Sequence, residues 1–84
     1  MGITINRLYS EVGKPQYTTL LDYDGSNKLI YIGLASPSSS TDTASWRISK
    51  LYYNSNSDIS GMRFADGNSS FDNVWVNRAT LTYV

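Results

Sequence analysis

No stretch of this sequence holds a helical period long enough to build an amphipathic helix. Short apolar and β-branched runs alternate instead with clusters of Gly, Asn, Asp and Ser, at "DGSN" (24–27), "SPSSSTDTAS" (36–45), "NSNSD" (54–58) and "DGNSS" (66–70). Each cluster favours a turn, because Gly takes positive φ freely and Asn, Asp and Ser side chains bond the nearby backbone. The predicted fold is therefore all-β: a small antiparallel β-sandwich or barrel-like meander of about six short strands. It is expected to form a single β-domain over 1–84, with one short helical turn near residues 70–77.

Along the chain, "ITINRLY" alternates Ile3 and Ile5 with Thr4 and Asn6, as a half-buried strand does. "QYTTLLDY" sets Tyr17, Thr19, Leu21 and Tyr23 on one face and Gln16, Thr18, Leu20 and Asp22 on the other. With a turn at "DGSN", Gly25 at positive φ, and the return run "KLIYIGLA", it makes the clearest predicted hairpin. The return strand is apolar on both faces: Leu29 and Tyr31 on one, Ile30, Ile32 and Leu34 on the other. That pattern suits a central strand, or one covered by a helix or a neighbouring subunit. Gly33 inside it predicts a bulge or a close backbone approach. In "SWRISKLYYN", Trp46 and Ile48 are out of phase with Leu51 and Tyr53, and a β-bulge near Ser49–Lys50 is expected to turn all four to the core. "ISGMRFA" completes a second hairpin. Phe71, Val74 and Trp75 at i, i+3 and i+4, behind Ser70 as N-cap, fit one or two helical turns. "TLTYV" closes as a strand with Leu81 and Tyr83 facing one way. No internal repeat is legible.

Composition narrows the chemistry. The 84 residues include neither Cys nor His, which excludes disulfides, zinc sites of Cys or His, thiol nucleophiles and imidazole bases. A domain this small buries roughly two-thirds of its unfolded surface or less, so a partner subunit is the common remaining source of stability. Seven basic and seven acidic residues cancel, and no basic run marks a nucleic-acid binder. No stretch has the length of a membrane span, and "MGITINRLYS" lacks the pattern of a secretory signal.

The carboxylates Asp22, Asp24, Asp66 and Asp72 sit at or beside turns and read as turn chemistry; "DYDGSN" fails the spacing of a calcium loop. No serine lies in a nucleophile motif, and no phosphate cradle is present. The chain reads as non-enzymatic, with no cofactor. Its aromatics remain. Trp46 and Trp75 sit in phase with aliphatic neighbours and read as core, joined by Tyr31, Ile48, Phe64, Phe71, Leu81 and Tyr83. Tyr52 lies opposite Leu51 and Tyr53 and is expected to be exposed or interfacial. Arg47, Arg63 and Arg78 each neighbour an aromatic position and are expected to lie over rings or to pair with Asp66 or Asp72. Arg78 also suits the carbonyls at the end of the helical turn.

The segments "YIGLASP", "SWRISKLYY" and "ADGNSSFDNVWVNRATLTY" together resemble a group of short virion-associated proteins of tailed bacteriophages. The shared pattern falls on Tyr31, Ile32, Gly33, Ala35, Pro37, Trp46, Arg47, Ile48, Ala65, Asp66, Gly67, Phe71, Val74, Trp75, Arg78, Ala79, Leu81 and Tyr83. It covers residues from about 28 to 84. Two positions depart from it: Ser38 stands where the pattern has Gly, and Val76 where it has a polar residue. The resemblance implies a structural or accessory protein of the virion, on the capsid or in the tail and its fibres, whose partners are other virion proteins and further copies of itself. Ile30, Ile32, Leu34, Tyr52 and Val76 are then the candidate interface. The alternative is a carbohydrate-binding domain for host surfaces, with Trp46, Tyr52, Arg63 and Arg78 as ligand contacts.

Overall fold

A computed structural model describes residues 16–84. The polar clusters fall between β1 (Thr18–Tyr23), β2 (Leu29–Ala35), β3 (Ala44–Tyr53), β4 (Ile59–Phe64) and β5 (Asn73–Val74), after which a 3-10 helix runs over Trp75–Thr80. The strands form one antiparallel sheet in the order β1-β2-β3-β4, with β5 also paired to β3. The fold is all-β. Of the two forms expected, it takes the meander: among the described residues one sheet is covered on one side by its own C-terminal segment. The run at residues 3–9 lies outside the described residues.

Both hairpins close on the same five-residue turn. In the first, the Asn27 amide donates to Asp24 O at 3.2 Å and the Asp24 amide to Lys28 O at 2.9 Å. The Asp24 carboxylate accepts from the amides of Ser26 (2.7 Å) and Lys28 (3.0 Å). In the second, the Ser57 amide donates to Asn54 O at 3.0 Å and the Asn54 amide to Asp58 O at 2.9 Å. Asn54 Oδ1 accepts from Asn56 (2.9 Å) and Asp58 (3.1 Å). The left-handed positions are Asn27 (φ 62°) and Ser57 (φ 66°), not Gly25. A short polar side chain tolerates that conformation by bonding locally, so the turn does not need the glycine.

These equivalences expose a repeat that the sequence reading missed. Thirty positions separate 24 from 54, 27 from 57 and 35 from 65; Ala35 and Ala65 are both fully buried. The register irregularities, between Asp22 and Tyr23 and between Tyr52 and Tyr53, are equivalent too. Each unit is a hairpin followed by a polar loop, and a tryptophan comes a few residues after each loop, Trp46 in β3 and Trp75 just past β5. The repeat hides because what it keeps is turn geometry and burial, which many side chains satisfy.

Strand β3 corrects the expected bulge. Its register is regular through Ser49 and Lys50, so Trp46 and Ile48 face one side while Leu51 and Tyr53 face the other. The phase change in the sequence marks a sheet with two apolar faces. Gly33 sits on the first face, in β2, and the register of that strand shifts only near its start, beside Ile30. Strand β5 extends the line of β4 along the same edge of β3: Phe64 pairs Ser49, the Ala65 amide donates to Ile48 O, and Asn73 then pairs Trp46.

The helical segment starts later than predicted, at Trp75, and is capped by Val74 without a side-chain bond, so Ser70 is no N-cap. Val74 lies in β5, and the spacing of Phe71, Val74 and Trp75 therefore reflects no helix. The closing "TLTYV" forms no strand; it joins the sheet at one bridge, between Ala65 and Tyr83.

Candidate functional site

The first face of the sheet carries the core. Trp46 is 1% exposed and meets Trp75 with ring centroids 5.9 Å apart, beside Ile48, Ala35 and Ala65. Leu20, Tyr31, Leu81 and Tyr83 pack around this cluster. Gly33 lies beneath the second indole: a Cβ there would come within 2.5 Å of Trp75 Cε3. The glycine thus gives the close approach that one reading of its position foresaw. The Trp46 indole donates to Ser40 O at 2.9 Å and the Val76 amide to Thr41 O at 3.1 Å, so the polar loop is tied to the layer it borders.

Arg78 organises the cover. Its guanidinium lies 4.6 Å from the Trp75 ring centroid, its Nε donates to Asp22 at 2.8 Å, and Nη1 donates to Trp75 O at 3.2 Å. The expected partners Asp66 and Asp72 are replaced by Asp22, which sits on the core side of β1 in phase with Leu20. A carboxylate in phase with a core leucine was the available signal. The Tyr83 hydroxyl donates to Arg78 O at 2.8 Å. Burial, and after it the neighbouring Tyr31, pushes the Tyr83 hydroxyl far above the ordinary tyrosine range. Lys50 lies over the rings of Tyr31, Tyr52 and Tyr83. Tyr52 is half-buried on this face, between Lys50 and Arg63, each 5.4 Å from its centroid.

The second face has no such cover among the described residues. Cross-strand rungs run Leu21–Ile32–Ser49–Phe64 and Thr19–Leu34–Arg47, with Leu51 opposite Met62 and Tyr53 opposite Ile59. Leu21 is 49% exposed and Met62 52%, with Tyr17, Tyr23 and Ile59 also exposed. Arg47 is the one charged side chain that the strands place on this face, and its guanidinium lies over Phe64 (5.5 Å) and Phe71 (5.2 Å). Tyr17 stacks on Phe71 at 5.3 Å.

Two expected core residues therefore belong elsewhere. Phe64 is half-buried on the second face, and Phe71 is 37% exposed at its margin, because the loop preceding β5 carries it past the sheet edge. Of the candidate interface, Ile32 and Leu34 lie on the second face and are half-buried, and Ile30 sits beside the register shift. Val76 is exposed on the 3-10 helix, and Tyr52 belongs to the core side, so the five positions do not form one patch. Of the alternative ligand contacts, Trp46 is buried and Arg78 is paired, which leaves Tyr52 and Arg63 adjoining at the surface. The two departures from the pattern are also placed. Ser38 carries φ 68°, a conformation that glycine adopts freely, and Val76 faces solvent.

No concave pocket opens in the described surface, and no group of three or more acidic side chains converges among the described residues. Compared with protein-family models, curated proteins and solved structures, the chain shows no significant match to any of them.

Proposed function

We propose that this chain is a non-enzymatic structural module of a tailed-phage virion, a capsid decoration or a component of the tail or its fibres, working through protein–protein contacts. The observation that supports this most is where the shared pattern falls. Gly33, Ala35, Trp46, Ile48, Ala65, Trp75, Leu81 and Tyr83 meet in a single packed layer, closed by Arg78. The resemblance is therefore one of scaffold and not of a reactive centre. A scaffold that fills one sheet face and leaves an apolar second face is suited to being one part of an assembly. Mass spectrometry of purified phage particles whose genome encodes the chain tests this reading. Its presence at stoichiometric level is the expected result, and its absence from particles made in cells that express it overturns the proposal.

A second reading, glycan binding, draws on Tyr52, half-buried with Lys50 and Arg63 at its ring. A glycan array on the isolated chain tests it. Binding that disappears in Tyr52→Ala while the fold persists favours this reading over the first.

A further inference from the structure

We infer that the second face of the sheet docks on the same face of another copy of this chain, giving a two-layer sandwich from two single-layer protomers. The inference names the partner for the structural role proposed above and rests on that reading only for its biological setting.

Extent comes first. Tyr17, Leu21, Tyr23, Ile59 and Met62 each leave around half of their surface in solvent, with Phe71 at the margin. At roughly 150–250 Å² for a large side chain, the exposed portion is on the order of 600 Å². A lone soluble domain carries a largest apolar patch of about 300–600 Å², whereas a standard interface takes about 800 Å² from each partner. With the half-buried Ile32, Leu34 and Phe64 included, this face approaches the second figure.

Patterning comes next. The apolar positions recur in both repeat units: Leu21 with Leu51, Tyr23 with Tyr53, Ile32 with Met62, and Leu34 with Phe64. On the core face the corresponding pairs diverge apart from Ala35 with Ala65, as Asp22 with Tyr52 and Gly33 with Arg63 do. The second face thus repeats itself across the sheet, as a surface does that must match a like surface.

Charge selects the occupant. The strands offer this face one guanidinium, Arg47, already shared by Phe64 and Phe71, and no carboxylate; the first turn adds the Lys28 ammonium, itself seated 5.5 Å from the Tyr53 ring. An acidic partner finds no free cation row and a basic partner finds no anion. A second copy meets apolar rows with apolar rows, in the aligned packing of two twisted sheets about 10 Å apart. A twofold operator makes such a contact closed, so it ends at the dimer.

Sedimentation equilibrium of the full chain, from micromolar to millimolar, reads the result. A dimer is expected, and Leu21→Asp and Met62→Asp should each weaken it at least tenfold. Both sites are half-exposed, and near-ultraviolet circular dichroism of the Trp46–Trp75 pair checks that each variant is folded. Val76→Asp, on the helix that covers the other face, should leave the dimer unchanged. A monomer across the whole range overturns the inference, as does a dimer broken by Val76→Asp and not by Leu21→Asp. A monomer in which Met62 resists oxidation also overturns it, since the chain would then cover its own face. A monomer found in purified particles removes the dimer and leaves the virion reading standing. A dimer through this face that is missing from particles does the reverse.

Discussion

At Gly33 the missing side chain is what lets the fold close. The Trp75 ring occupies the space of a Cβ, with Cε3 at 2.5 Å and Cζ3 at 2.6 Å from its ideal position, and Trp46 Cε3 stands at 3.2 Å. Neither rigid indole has a flexible end to withdraw. Gly33→Ala should therefore lift the helix off the sheet and destabilise the chain by about 1–3 kcal/mol, the usual range for overpacking. Denaturant unfolding followed by tryptophan fluorescence measures this, and wild-type stability in the variant would show that the ring is not seated there. Asp24 is a second case in which one atom group does defined work. Hydrogen bonds from the backbone amides of Lys28 and then Ser26 hold its carboxyl below the ordinary value of 3.8. A depressed carboxyl stabilises the folded state fully above its unfolded value and loses that contribution as pH falls through the folded one. Lowering the pH below 3.8 should thus loosen the first turn, seen as a loss of protection at the Ser26 and Lys28 amides relative to their intrinsic exchange rates at each pH. The second turn uses the neutral Asn54 in the same position and should not respond; if both turns loosen together, Asp24 is not the cause.

At the scale of the element, the two turns differ in how well their left-handed residue suits its place. Asn27 and Ser57 have nearly the same φ, yet Asn visits this region more readily than Ser because its amide bonds the local backbone. Copying the first turn into the second, Ser57→Asn, should raise stability by up to about 1 kcal/mol. Thermal unfolding checks it, and the reverse exchange, Asn27→Ser, should lower stability by a similar amount. The 3-10 helix depends on tertiary partners more than on its own propensity. It has no side-chain cap and no acidic residue in its first turn, and is held by Arg78 over Trp75 and by the Arg78–Asp22 pair. That pair is about one-third exposed on each side, so its electrostatic share is modest and the stacking of Arg78 on the indole matters at least as much.

Across the whole molecule, the two faces of the sheet divide the work. One is sealed within the chain, and its seal is thin: a short helix and a four-residue tail closing over two indoles. Trp75→Ala removes the largest part of that cover and should cost about 3–5 kcal/mol, a large fraction of the stability of a small domain. Loss of the cooperative unfolding transition in that variant is the expected measurement. Retention of a wild-type midpoint would mean that the core lies elsewhere. The outer rows of the other face contribute little to the isolated fold, because Leu21 and Met62 are half in water already, while Leu51 between them is buried. Substituting Leu21 or Met62 should therefore leave folding nearly unchanged and show its effect in the association inferred above.

Much of this architecture could be read from residue order alone. Turn-forming clusters mark where strands end, the two apolar faces of β2 suit its central place, and the lack of Cys and His removes whole classes of chemistry. Local signals suffice there, since turns and strand periods depend on neighbours in the chain. Which apolar residues share a face in β3, which carboxylate meets Arg78, and why Phe71 leaves the core depend instead on register and on contacts between distant segments. Asp22 and Arg78 are brought together by the helix folding back across the sheet. The out-of-phase pairs of β3 are explained only when both sides of the sheet are seen, because a single strand cannot state whether its second apolar face meets a partner or a bulge.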